Sequence, residues 1–479
     1  MSINTPLLIV ILYIIVLYGI SWYSTKLTGK GVTGFFLANR GLPTIIIAVM
    51  ISGMAIGGAS TVGVSESSYT RGLAAGMYNA AWAAGALAVG VIGARRFRNM
   101  NIATIPELFG RFYSNGGRFI GVLGQLVIMS TILALQYVAS GAVLTALLPE
   151  YFTFNTGMIV TAVVFVGICL IGGYWAAGLS NFINVIVIYL GLCIGCVAVV
   201  SSLGGLGAMS EALPEPHWFS FVEGIGLVTV IGWFIVMITQ AIGVQASIQI
   251  SFAAKDGNTA RKGFILGACL ILPIGFIAAL IGMGADVKYP GLERAAMALP
   301  KIMMDQNPIV SGITLAGLWA ADVSTAVGLL LGTSTMLMQD IVKPWLKPHW
   351  TPDQELFRSR LMVLLVALCT FIMALQVRSI LGTIMIGLSL TTAYTLILMA
   401  TLFFPSFCRR SSAFWCLIVG LGSILIWQLF PSVRVLPHVI YAAWPAVLIT
   451  FFVVAAVDKN KSPIPENWAR DHIEKGTEA

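Results

Sequence analysis

Ala321, Ser324 and Thr325 stand at i, i+3 and i+4 within an apolar stretch running from about Ile309 to Met338. If that stretch is helical, all three lie on one face. An oxygen-rich face at membrane depth suits a dehydrated hard cation such as sodium, although hydroxyls in membrane helices more often bond their own backbone. Asp322 stands beside them. A carboxylate at that depth is costly and marks functional sites. It admits three readings. It could add charge to a cation site, meet a cationic substrate or a proton, or be a structural carboxylate, hydrogen-bonded or protonated between helices. By helical geometry it sits about 60° around the axis from Thr325 and about 160° from Ser324.

The elements that must hold these residues are apolar helices. Of 479 residues, 58% are hydrophobic and 10% charged, whereas an average soluble chain has about 25% charged residues. The expected fold is an all-α polytopic membrane protein, with one transmembrane domain over residues 1–479 and no room for a separate soluble unit. The net charge of +8 comes from basic residues in short loops between apolar spans, so it is not a nucleic-acid signal. Thirteen segments are long enough to cross a bilayer as helices, centred near residues 15, 54, 84, 133, 165, 190, 236, 273, 324, 367, 391, 421 and 447. The first, from about Pro6 to Ser24, has neither a basic leading region nor a small-residue cleavage site, and reads as a retained helix rather than a signal peptide. If the N-terminus is outside, only Arg71, Lys288, Arg294, Lys301, Arg378 and Arg434 of the 27 Lys and Arg residues face outward. That asymmetry predicts an N-out, C-in chain. The cysteines show no paired metal spacing; Cys193 and Cys196 form C-x-x-C within a Leu/Val/Ile-rich run and read as buried small hydrophobes. The four histidines are scattered, so no metal site other than one for Na+ is expected.

Two segments are unusual. The second contains Ser52-Gly53-Met54-Ala55-Ile56-Gly57-Gly58-Ala59-Ser60-Thr61. Its glycines suit close helix packing, but they also suit an unwound helix whose freed carbonyls coordinate ions. The seventh carries Gln240, Gln245 and Gln249 with Gly232 and Gly243. Glutamines in membrane helices face cavities or neighbouring helices. Because the two segments lie five apart in order, they predict a pair of inverted five-helix repeats with the substrate between them. The repeats would span residues 42–202 and 224–404. An extra N-terminal helix would cover 5–26, two C-terminal helices 412–457, and a cytoplasmic tail 458–479.

Several short motifs occur in the order found in the sodium:solute symporter family, which the chain resembles over about residues 35–341. They are Phe35-Phe36-Leu37-Ala38-Asn39-Arg40-Gly41-Leu42, Thr104-Ile105-Pro106-Glu107 through Tyr113, Gly172-Gly173-Tyr174-Trp175, Ala253-Ala254-Lys255-Asp256, and Ala321–Thr325 through Asp340-Ile341. The resemblance implies a LeuT-like fold with a five-plus-five inverted repeat. It also implies a sodium site made by the backbone carbonyls of Gly53, Ile56 and Ala321 and the hydroxyls of Ser324 and Thr325. It further implies a central cavity, with candidates Ser52, Met54, Thr61, Gln136 and Tyr137 in the first half. In the second half the candidates are Trp233, Gln240, Gln245, Thr391, Thr392 and Tyr394. Where many members carry Thr-Asp after the Gly-Gly motif, this chain has Ser180-Asn181, which favours a single sodium. Asp322 has no counterpart in the family pattern.

The expected function is secondary active transport, with sodium-coupled symport of a small organic solute into the cell by alternating access. The alternatives are a proton-coupled or uncoupled carrier on the same fold, with Asp322 as the coupling group, or a solute-sensing transceptor. No nucleophile or His/Asp cluster suggests an enzyme. Na+ is the coupling ion and no cofactor is expected. The partners are a small-molecule substrate, Na+ and the lipid bilayer of a plasma membrane (a bacterial inner membrane), with no nucleic acid and no obligate protein partner. Further charged or polar positions are Glu66 near the outer end of the second segment, Asp340 near a cytoplasmic helix end, and Thr333, Ser334 and Thr335 below the ion face.

Overall fold

The computed structural model describes residues 5–28, 31–346, 349–376, 388–436 and 438–464. Lys30, Lys347, Arg378, Arg470 and Lys475, the start of the eleventh segment and most of the 458–479 tail lie outside them. The described residues form helices joined by short turns, with two isolated bridges and no strand. Among the described residues, nine helices are long and apolar enough to cross a bilayer, or ten if the bent pair Leu227–Gly243 and Gln245–Ala253 is one span.

The thirteen expected segments do not map one to one onto these helices, and three places show why. The fifth and sixth run together as Phe154–Ser202, a 49-residue element. At 1.5 Å per residue this is roughly 73 Å, more than twice the hydrocarbon thickness. Gly173 breaks it, at φ 56° and ψ −138°. A side chain there would also sit 2.5 Å from the Phe35 carbonyl, so both backbone and packing require glycine. The second segment is divided: Thr44–Ala55 ends at Ile56, whose φ of −91° and ψ of 77° leave the helix. The chain resumes with a π-helical turn, Ala59–Gly63, and then Val64–Arg71. The eleventh segment is described as Thr391–Phe403.

Burial ranks the helices. Leu12, Ile15 and Trp22 of Thr5–Thr28 are exposed, as side chains facing hydrocarbon should be. Cys193 is likewise exposed rather than buried, because it lies on the outer face of Phe154–Ser202. By contrast, Pro308–Met336 is enclosed along most of its length. It packs on Phe154–Ser202 through glycines: a Cβ on Gly317 would meet the Val187 carbonyl at 2.8 Å, and one on Gly191 the Ile313 carbonyl at 2.7 Å. Such close backbone contact replaces the hydrophobic drive that lipid removes.

Loops assigned to one side of the membrane touch one another. Leu42 bridges to Ala254, with its N–H on the Ala253 carbonyl at 3.1 Å and its own carbonyl accepting from Lys255 N–H at 3.0 Å. Arg40 donates to the carbonyls of Ile102 and Phe252. On the other side Lys288 pairs with Asp305 at 2.9 Å, and Leu292 N–H donates to the Tyr69 hydroxyl at 2.9 Å.

Candidate functional site

The break in the second segment faces the middle of Pro308–Met336. Ser324 Oγ donates to the Gly53 carbonyl at 2.7 Å and reaches the Ala321 carbonyl at 2.8 Å. Thr325 Oγ1 reaches the same Gly53 carbonyl at 2.9 Å and that of Met54 at 3.3 Å. Two hydroxyls and three carbonyls from two helices therefore lie within hydrogen-bonding reach of one another. Ile56 closes the first half-helix, its N–H on the Ser52 carbonyl at 2.8 Å. On the other side of Gly53, Asn181 Nδ2 lies 3.0 Å from where a Cβ would be. Asn181 Oδ1 and Ser180 Oγ are buried with no hydrogen-bond partner among the described residues.

Beyond the break, Gly57 and Gly58 admit a third helix, Asn115–Leu147. Gln136 Oε1 accepts from Gly58 N–H at 3.0 Å, and its Nε2 donates to the Ile132 carbonyl of its own helix. A Cβ on Gly57 would lie 2.5 Å from Thr325 Oγ1 and 2.7 Å from Gln136 Oε1; one on Gly58 would lie 2.8 Å from Asp322 Oδ1. Asp322 is fully buried, and neither carboxylate oxygen has a hydrogen-bond partner among the described residues.

The bend of the seventh segment, at Val244, is organised differently. Gln125 donates from Nε2 to the Gly243 carbonyl and accepts at Oε1 from Gln245 N–H at 3.0 Å. It thereby closes both backbone groups beside the bend. Gln125 and Gln136 are eleven residues apart, about three helical turns, and so share a face. The sequence reading missed Gln125; its spacing from Gln136 was the available signal. Gln245 then ties the bend to the Thr104 loop, accepting from Ile105 N–H at 2.8 Å and donating to the Ala103 carbonyl at 3.1 Å. Gln249 reaches the Phe36 carbonyl and Thr335 Oγ1.

The remaining cavity candidates divide. Ser52 and Thr61 lie at the break, each bonded within its own half. Gln240 is buried with Oε1 unpartnered among the described residues. Trp233 packs edge-on to Tyr78, centroids 6.1 Å apart. Thr391 meets Thr239 at 2.9 Å, joining Thr391–Phe403 to the bent helix, while Thr392 bonds the Ser389 carbonyl. Tyr137 points away from the break, its hydroxyl on the Ala367 carbonyl of Pro352–Ala374 at 2.9 Å. Tyr394 reaches the Gly121 carbonyl at 2.6 Å and stacks on Phe109. Thr333, Ser334 and Thr335 bond their own helix's carbonyls. Further along the same element, Asp340 is buried and paired with Arg118, at 2.7 Å to Nη2 and 2.9 Å to Nε.

Residues 35–420 match the sodium:solute symporter family. The sodium/proline symporter of Escherichia coli (strain K12) is 24% identical over 90% of this chain and 89% of its own length. The sodium/glucose cotransporter of Vibrio parahaemolyticus is 26% identical over 75% of this chain and 73% of its own. Among solved structures, the outward-open, substrate-bound state of a Na+-coupled sialic acid symporter superposes with a TM-score of 0.83 at 15% identity, covering 96% of this chain and 99% of that one. With a match over most of its length, the chain belongs to the sodium:solute symporter family, a family of membrane transporters and not of enzymes.

Proposed function

We propose that the protein is a sodium-coupled symporter that carries a small organic solute into the cell by alternating access, and that Gly53, Ile56, Ala321, Ser324 and Thr325 hold the coupling ion. The single observation that carries this reading is the Gly53 carbonyl, which receives both Ser324 and Thr325 across the break. If the two hydroxyls turn their protons aside, the same oxygens face one cation. An ion held only while both helices are close stabilises one conformation over the other, and that differential is what coupling requires.

The reading includes thirteen crossings, N-out and C-in. Phe154–Ser202 counts as two crossings divided at Gly173, and each discontinuous helix counts as one. The breaks then fall at the same place in two inverted repeats, residues 42–202 and 224–404, followed by helices within 412–457 and the 458–479 tail. The separation of loop contacts into two sets supports the alternation. The solute would sit between the breaks, near Gln136 and Gln240, and a bacterial inner membrane is the natural setting given the relatives. One observation favours a second reading: Asp322, buried without a partner, is also where a proton-coupled carrier would load its proton.

A thermal-shift screen on the purified protein, in NaCl against KCl, separates the two. A solute that stabilises only in sodium is expected. Equal stabilisation in both salts, abolished by Asp322→Asn, would replace sodium coupling with the proton reading.

A further inference from the structure

The described residues bury two carboxylates, and only one is paired. Asp340 has Arg118, whereas Asp322 has neither a cation nor a hydrogen bond. An unpaired buried charge is costly, so a carboxylate in this state calls for a cation or a proton. The charged groups on the three elements around it are remote. Glu66 and Arg71 close the far end of the broken helix, and Arg118 is engaged at the opposite end of its own helix.

What does surround Asp322 is oxygen. Asp322 Oδ1 and Gln136 Oε1 lie 2.8 and 3.7 Å from the point where a Cβ on Gly58 would stand. Gln136 Oε1 and Thr325 Oγ1 lie 2.7 and 2.5 Å from the corresponding point on Gly57. Each pair of oxygens thus crowds against one glycine, whose missing side chain lets them approach; an ion would lie among these oxygens, clear of the Cβ points themselves. Hard cations of calcium's size take oxygens at about 2.3–2.6 Å, so small movements would bring this set onto one ion. The walls are tight: the Ala139 methyl lies 2.3 Å from the Gly58 point. That closeness favours a bare ion over an organic ammonium group.

We propose that Asp322, Gln136 and Thr325 form a second site for a dehydrated monovalent metal ion, sharing Thr325 with the site at Gly53. Asp322 precedes Thr325 by three residues, about 4.5 Å along the helix axis. On the proposed orientation it lies on the outward side, where an entering ion arrives first. Asn181 withholds a charge on one side of Gly53; Asp322 supplies one beyond the break. The second ion joins a third helix to the pair, and the Asp322 carboxylate offsets the repulsion between two cations that share Thr325. This inference rests on the sodium-coupled reading.

The test is equilibrium binding of radioactive sodium to the purified full-length protein in a potassium background. Two ions per wild-type molecule are expected, and one in Asp322→Asn, which keeps the side chain's shape. Gln136→Leu should retain two ions, with one weakened about tenfold, a loss of one hydrogen-bond-sized interaction; it also guards against a fold defect in the aspartate variant. One ion in the wild type, bound as tightly by Asp322→Asn, overturns the second site and leaves sodium coupling standing. No sodium binding by the wild type, with Ser324→Ala indistinguishable from it, overturns the coupling reading and this inference together.

Discussion

The two discontinuous helices solve the same problem in opposite ways. A break frees backbone groups that lipid cannot satisfy. At Val244 the freed groups are closed from outside the helix, with Gln125 serving the Gly243 carbonyl and Gln245 N–H at once. At Ile56–Gly58 backbone carbonyls are met as well, that of Ala55 by Ser60 Oγ and that of Gly57 by Thr61 Oγ1, but a carboxylate is left over. Gln136 takes only Gly58 N–H, two hydroxyls share the Gly53 carbonyl, and Asp322 stands beside them unpartnered among the described residues. A saturated break is a joint, since its geometry is fixed by protein alone. A break beside a carboxylate that protein leaves unpartnered is open to a ligand, and its geometry can follow that ligand. On the proposed reading, the ion belongs to the first break and the second serves as mechanical support.

The largest effect on sodium affinity should come from the shared carbonyl. Ser324→Ala or Thr325→Ala removes one oxygen from the cation and leaves the helix intact. Losing a hydrogen-bond-strength contact to a charged group costs about 1.5–3 kcal/mol, or roughly 10–150-fold in sodium affinity. Sodium titration of the thermal shift measures it directly. Unchanged affinity in both variants would remove the difference between the breaks.

Gln125→Leu tests the other side. It strands a buried carbonyl and a buried N–H, at about 1–3 kcal/mol each. The expected outcome is a lower melting temperature with sodium affinity little changed. A loss of sodium affinity as large as that in Ser324→Ala would show that the bend is part of the ion site.

The sequence made some of this legible and hid the rest for identifiable reasons. The face of Ala321, Ser324 and Thr325 was readable because helical spacing alone fixes which side chains align. The family resemblance placed Gln136 and Tyr137 together at the cavity, but only Gln136 reaches the break. Adjacent residues on a helix point about 100° apart, and Tyr137 turns to Pro352–Ala374. Gln125 escaped notice because nothing in an apolar run says which polar residue meets a broken backbone elsewhere. Gly173 was obscured by abundance. The chain has 50 glycines, and among the described residues only those at 31, 72, 173, 204, 205, 226 and 291 take positive φ. Many of the others admit close packing, and composition does not separate the two uses. Hydrophobic length is a local property, so the apolar helices were legible; the breaks and fusions that set the number of crossings are tertiary.

The comparison sharpens at the Arg118–Asp340 pair. It joins the end of the glutamine-bearing helix to the element that carries Ser324. Breaking this pair from the Asp340 side, with Asp340→Asn, leaves Arg118 with a neutral acceptor and should cost less than the 3–5 kcal/mol typical of fully buried pairs, because Arg118 is 24% exposed. On the proposed orientation the pair closes the cytoplasmic side. The variant should then make a cysteine at position 249, otherwise inaccessible, react with a water-soluble thiol reagent from inside. Sodium should suppress that reaction if the ion favours the outward-facing state. Labelling indifferent to sodium would disconnect the first break from the inner closure.

The smallest effect is expected at Asp256, which caps Gly257–Lys288, a helix packed against the first half of the broken segment through Gly263 and Gly267. The carboxylate accepts from Thr259 N–H at 2.8 Å and from its hydroxyl at 3.0 Å. The backbone bond holds the carboxyl's pKa below its ordinary value. A depressed pKa in the folded state means that the capping charge stabilises fully above the unfolded value, about 3.9. The contribution is then lost as pH falls through the lower, folded value. Asp256→Ala should therefore cost about 0.5–1 kcal/mol near neutral pH, and the gap to wild type should narrow as the carboxylate is protonated. Melting temperatures of both proteins from pH 7 down to about 3 measure this. Sodium affinity should be equal in the two throughout, because the cap fixes where the supporting helix begins without touching the oxygens at Gly53. A cap variant that altered sodium binding would mean that strain at the helix foot reaches the first break, and the division between joint and ligand site would have to include this third helix.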